Sequence, residues 1–143
     1  MASAPIPSVV AMLICDQIIT EQVTNKKSLI GVFDKFFSPS FPTVFARLAV
    51  YVKLADAAGD YLFRLRIVKL KDESPLAEVR LDAKIPEVEE YTELALNMGF
   101  LVPEQGKYEF QLYAGENYLH RVTMQAELAQ LPGGLPQWRP QNS

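Results

Sequence analysis

The chain has 143 residues, 49% of them hydrophobic and 22% charged, which suits one globular domain with its own core and excludes wholesale disorder. Its 14 basic and 17 acidic residues leave a net charge of −3 and form no basic stripe, which argues against a nucleic-acid or anionic-membrane partner. One cysteine excludes an internal disulfide, no run approaches the ~18 apolar residues of a membrane span, and the start "MASAPIPSVVAMLICD" lacks the basic region of a signal peptide, so a soluble, cytoplasmic protein is expected.

In chain order, the first expected strand covers about 9–23 and contains "MLICDQII", an apolar stretch interrupted by Asp16. Adjacent side chains of a strand point to opposite faces, so Cys15 and Asp16 cannot form a nucleophile–base pair. Cys15, sharing a face with Leu13 and Val9, reads as a small buried apolar residue rather than a reactive thiolate. A second strand follows over 28–37. A two-residue turn at Asn25-Lys26 places Asp16 opposite Lys35 and Ile18 opposite Phe33, which gives Asp16 a cation for a partner.

Three runs then alternate with period two. In 44–54, Val44, Ala46, Leu48, Val50, Val52 and Leu54 share a face; in 61–70, Tyr61, Phe63, Leu65 and Ile67 do; in 76–85, Ala77, Val79, Leu81, Ala83 and Ile85 do. Such alternation marks half-buried antiparallel strands, separated here by the turn signals "ADAAGD" and "KDESP". Strands also fit 91–102, 107–114 and 118–128, although in the segment 86–99 Glu89, Glu90, Glu93 and Leu94 also suit a helical turn. About eight strands with short connections imply an all-β, antiparallel sandwich of two sheets.

In the last hairpin, Tyr108, Phe110, Leu112 and Ala114 face the core on one strand, and Tyr118, His120, Val122, Met124, Ala126 and Leu128 on the other. Both sets face one core only if paired residue numbers have an even sum. A three-residue loop, Gly115-Glu116-Asn117, meets that condition with Asn117 in the left-handed conformation. The segment 131–143, "LPGGLPQWRPQNS", cannot continue a strand. The expected organisation is a domain over 1–130 and a tail over 131–143 that docks Leu135 and Trp138 on this domain or a neighbour.

Groups that carry chemistry are scarce. His120 is the single histidine, which removes His-rich metal sites, and its phase makes it a packed, hydrogen-bonded residue rather than a catalytic one. No phosphate-cradling glycine loop, nucleophile elbow or metal-ligand spacing occurs, so neither cofactor nor metal is expected. The feature that stands out is apolar surplus: "FDKFFSPSFPTVF" holds five phenylalanines in thirteen residues, and "VVAMLI" is apolar on both faces. Two accounts fit. Either the chain crosses between sheets at a corner and buries both faces locally, or these residues form a contact surface for another copy or partner. The expected contact residues are Val10, Met12, Ile14, Phe36, Phe37, Phe41 and Trp138.

The stretch "LICDQIITEQVTNKKSLIGVFDKF", followed by "FP" at 41–42 and "QGKYEFQLY" at 105–113, resembles a family of small bacterial proteins known only as a domain of unknown function. The resemblance covers about 10–128. It implies an immunoglobulin-like sandwich in which Tyr108 forms the tyrosine corner, and it transfers no catalytic residue. The function expected is a non-enzymatic interaction or assembly module that self-associates. A carbohydrate- or small-molecule-binding sandwich using Tyr51, Tyr113 and Trp138 as stacking platforms is the alternative, and a hydrolase using His120 comes third.

Overall fold

The computed structural model describes residues 4–86 and 91–129. Within them lie nine strands: β1 (Ser8–Thr20), β2 (Lys27–Val32), β3 (Lys35–Ser38), β4 (Thr43–Ala55), β5 (Gly59–Lys69), β6 (Ser74–Ile85), β7 (Tyr91–Val102), β8 (Gly106–Ala114) and β9 (Asn117–Leu128). Two sheets form, one ordered β2-β1-β4-β7 and the other β3-β9-β8-β5-β6. They pack as an immunoglobulin-like β-sandwich. Of the segment where a helical turn competed, Glu89 and Glu90 lie outside the described residues, and from Tyr91 the chain is a strand with Leu94, Leu96, Met98, Phe100 and Val102 buried along one face.

The core follows the period-two pattern. Phe63, Leu65 and Ile67 of β5 meet Phe110 and Leu112 of β8, all with no solvent exposure. Above them lie Val50, Val52 and Leu54 of β4. Tyr108 is fully buried among them, and its hydroxyl donates to the carbonyl of Glu104, four residues upstream. That bond is a tyrosine corner, which ties the start of β8 to the preceding loop.

Sequence alternation breaks at four places, each for a local reason. In β4 a bulge between Phe45 and Leu48 reverses the phase, so Val44 and Ala46 face out and Phe45 faces in. The bulge brings the Ala46 carbonyl oxygen to 2.3 Å from where a Cβ on Gly99 would sit, so only glycine fits opposite it.

In the β1–β2 ribbon, Cys15 pairs with Val32, Gln17 with Ile30 and Thr20 with Lys27, leaving a six-residue turn rather than two. Asp16 therefore lies over Gly31, not Lys35. A Cβ on Gly31 would come within 2.2 Å of the Asp16 carboxylate, and Gly31 has φ of 71°, so the ribbon kinks there. Lys35 belongs to the other sheet.

The expected strand 28–37 is two strands. Phe33 N–H still donates to Ile14 of β1, whereas the carbonyl of Asp34 already accepts from Gln125 of β9. The chain crosses between sheets at that peptide, and β3 then runs parallel to β9, from Lys35↔Gln125 to Ser38↔Leu128. This is a departure from a wholly antiparallel sandwich.

In the last hairpin the loop has two residues, Gly115 and Glu116, and Asn117 pairs with Ala114. Gly115, not Asn117, takes positive φ, 59°. The even-sum register nonetheless holds from Leu112↔His120 onward, because a bulge after Tyr118 supplies the extra residue.

Two substitutions test this account. Gly99→Ala is expected to cost about 1–3 kcal/mol, since backbone must shift to admit the methyl. Tyr108→Phe, which strands the Glu104 carbonyl, is expected to cost about 1–2 kcal/mol. Both are read as lowered urea midpoints with unchanged m-value.

Candidate functional site

The crossing at Phe33–Asp34 decides the fate of the phenylalanine cluster. Phe45 stacks on Phe33 at 5.6 Å, meets the tilted ring of Phe36 at 4.4 Å, and lies 6.5 Å from Phe100, which meets Phe110 edge-on at 5.9 Å. Phe41 packs against the same core. Met12 and Ile14 point inward opposite Val52 and Val50. Met12 and Ile14 are thus interior residues, and Phe36 and Phe41 are half-buried against the chain's own core, so the four do not form a free contact surface: the corner covers them locally. Val10, at a bulge in β1, is 53% exposed, and Phe37 on β3 is 40% exposed, but they belong to different sheets. Trp138 lies outside the described residues, as does all of 130–143.

A different apolar surface takes their place. On the outer face of the β1–β2 ribbon, Leu13 and Ile19 of β1 lie with Ile30 and Val32 of β2, exposed by 41–54%, and Val10 extends the stripe toward the chain start. The outer face of an antiparallel sheet is ordinarily polar. The sequence signal for it was the double-faced apolar run, which did not tell which half of the residues the second sheet would cover.

Cys15 sits within this face beside Ala49 and Val32, with no exposure, and its thiol donates to the Gln17 carbonyl at 3.5 Å. Burial pushes its pKa up, and the neighbouring Asp16 charge adds to the effect. The β1 bulge turns Val9 to the core, so Val9 does not share the Cys15 face.

Next to the stripe the sandwich is open on one side. Among the described residues, β1 has β2 as a neighbour only from Cys15 onward and β9 has β3 only from Gln125 onward, and the Ile14 carbonyl accepts from Phe33, so the outer edges of Ser8–Leu13 and Asn117–Met124 have no strand partner there. Between them lies a cleft of about 450 Å³, lined by Met12, Leu13 and Ile14, by Val32, Phe33 and Asp34 of the crossing, and by Val122 and Thr123. A second cleft, about 710 Å³, gathers Lys26 and Lys27 of the ribbon tip with Lys53, Lys84, Tyr91 and Glu93.

The other expected site residues do not assemble. His120 is solvent-exposed rather than packed, because the half of β9 that carries it lacks an outer neighbour, and among the described residues no side chain hydrogen-bonds to it. Tyr51 and Tyr113 lie on outer faces of opposite sheets. Tyr51 donates to Glu93, while Tyr113 lies under Arg64 at 4.8 Å and meets Tyr118 edge-on, so the two rings make no common platform. Among the described residues no three metal-ligating side chains come together.

Burial and the Glu93 carboxylate push the Tyr51 pKa up to about 12 from an ordinary 10.0, and burial also raises Tyr108. These groups hold their protons longer in the folded than in the unfolded state. The unfolded chain therefore ionises first, and stability falls as pH rises, for Cys15 from its ordinary 9.0 upward and for Tyr51 between 10.0 and about 12. Urea titrations at a series of pH values are expected to show that decline, and Tyr51→Phe is expected to flatten its upper part. A thiol reagent at pH 8 is expected to label Cys15 only in the unfolded chain.

The fold is that of the immunoglobulin-like sandwiches, with the tyrosine corner at Tyr108 and a strand that changes sheets. The chain belongs to the family described as "Family of unknown function (DUF6941)", whose model matches residues 10–127. Among solved structures it is similar to an immunoglobulin-like protein from Pseudomonas aeruginosa, at 11% identity and a TM-score of 0.43, covering 88% of this chain and 100% of that one. It is also similar to the C-terminal domain of wzt, at 11% identity and a TM-score of 0.44, covering 87% of this chain and 74% of that one. A beta-D-glucoside glucohydrolase from Trichoderma reesei matches at 10% identity and a TM-score of 0.45, covering 85% of this chain and 19% of that one. No curated protein matches.

Proposed function

We propose that this protein is a non-enzymatic interaction and assembly module that associates with copies of itself through the outer face of the β1–β2 ribbon. The observation that supports this is the stripe of Val10, Leu13, Ile19, Ile30 and Val32, apolar side chains exposed side by side on one sheet face. Single exposed apolar residues are ordinary, but a contiguous row on a regular strand pair is what contact surfaces present. The ribbon edge adds weight: among the described residues β2 is the last strand of its sheet, an edge whose backbone groups can pair with another chain.

The experiment is sedimentation of the intact protein over a concentration series. Association is expected in the wild type, and Ile19→Lys combined with Ile30→Lys is expected to weaken it at least about tenfold, about 1.4 kcal/mol. Both positions are exposed, so unchanged circular dichroism is expected alongside. A strict monomer at the highest concentration, before any substitution, overturns the proposal.

A further inference from the structure

The flank of the sandwich away from the ribbon ends in β6, whose one strand neighbour among the described residues is β5. Long edge strands are ordinarily blunted by a bulge, a proline or a charge that points inward. The stretch Ala77–Ile85 is not blunted in these ways. Its sequence holds no proline or glycine, its pairing with β5 is continuous, and its core side is apolar throughout. On that side Ala77, Val79, Leu81 and Ala83 are half-buried, although the residues they pair with on β5, Ile67, Leu65, Phe63 and Tyr61, are buried. On the outer face Glu78, Arg80, Asp82 and Lys84 alternate in sign. A row of charges in that order is complementary to itself when reversed.

We propose that β6 pairs antiparallel with β6 of a second copy, across a two-fold axis at Leu81, and joins the two five-stranded sheets into one. In this register Glu78 faces the partner's Lys84 and Arg80 faces the partner's Asp82, and symmetry makes each pair twice. On the core side Leu81 meets its own symmetry mate, Val79 meets the partner's Ala83, and Ala77 meets the partner's Ile85. The half-buried row is thereby covered, with a small side chain against a larger one on either side of the axis. A slip of two residues sets Arg80 against Arg80 or Asp82 against Asp82, and a slip of one turns charges toward the core. One register therefore satisfies both faces. Part of the charge row is in place beforehand, since the Glu78 carboxylate is held by Arg64 at 3.3 Å and by Arg80 at 2.7 Å.

This edge shares no residue with the ribbon face and lies on the opposite flank, since β1 runs near β9 whereas β6 runs near β7. The inference does not rest on association through the ribbon. A molecule that uses both surfaces assembles beyond a dimer, and one that uses the β6 edge alone stops at a dimer.

The experiment is sedimentation of the intact chain carrying Ile19→Lys and Ile30→Lys, which removes the ribbon face and leaves β6 untouched. A concentration-dependent monomer–dimer equilibrium is expected. Adding Arg80→Glu or Asp82→Arg sets like charges face to face at two symmetric places, and each is expected to weaken the dimer at least about tenfold. The two together exchange the charges and restore opposite signs in this register alone, so recovery to within about threefold is expected. These side chains are exposed, so unchanged far-UV circular dichroism is expected in every variant. In the wild type, amide exchange over 77–85 is expected to slow as protein concentration rises. A strict monomer in the ribbon variant, a double charge variant no tighter than the single ones, or exchange over 77–85 that ignores concentration each overturns the proposal. Wild-type association that vanishes in the ribbon variant removes the edge and keeps the ribbon; a dimer of equal strength in both removes the ribbon and keeps the edge.

Discussion

The architecture depends on one peptide, Phe33–Asp34, where the chain leaves one sheet and joins the other. Phe33 is still bonded to β1 and Asp34 is already bonded to β9, so adjacent residues belong to different sheets. The rings of Phe33, Phe36 and Phe45 fill the corner that such a link creates, and Phe100 connects them to the main core. Without that aromatic wedge the two sheets would meet at this end across a gap too wide for aliphatic side chains to close. Among the described residues, the same link leaves the outer edge of β1 without a strand partner before Ile14 and that of β9 before Gln125. The filled corner and the open cleft are therefore two results of one event.

Most strands were legible because their solvent face is polar and their core face is not. In β5, Arg64 and Arg66 alternate with Phe63, Leu65 and Ile67, and the structure places each on the face that alternation requires. What could not be read were features specified by distant residues. The β4 bulge has no local mark at Ala46; its sequence trace is Gly99, some fifty positions later, whose missing side chain makes room for it. The ribbon register turns on Asp16 meeting Gly31, whereas turn chemistry at Asn25 pointed to a tighter loop. The hairpin parity was legible, but not whether a longer loop or a bulge would satisfy it.

The site divides in the same manner. The excess of apolar residues was visible in composition and in "VVAMLI", and that excess is real. Its partition was not visible, because which residues lie under the second sheet depends on where the crossing falls. The cluster richest in aromatics went inside, and the plainer aliphatics of the ribbon stayed out. Aromatic density is thus a poor guide to exposed surface when a corner is nearby: large flat rings are what corners need.

The pairing of β3 with β9 joins residues 35–38 to residues 125–128, so β3 waits for a strand made some ninety residues later. During synthesis the strands β2, β1, β4 and β7 are all available once residue 102 has emerged, whereas β5 and β6 must remain without their partner β8 until later. One sheet can therefore assemble on the ribosome with its inner face bare. Translation pauses after residue 102 would prolong that half-built state, in which Leu48, Val50 and Phe100 stand open to chaperones or to neighbouring nascent chains.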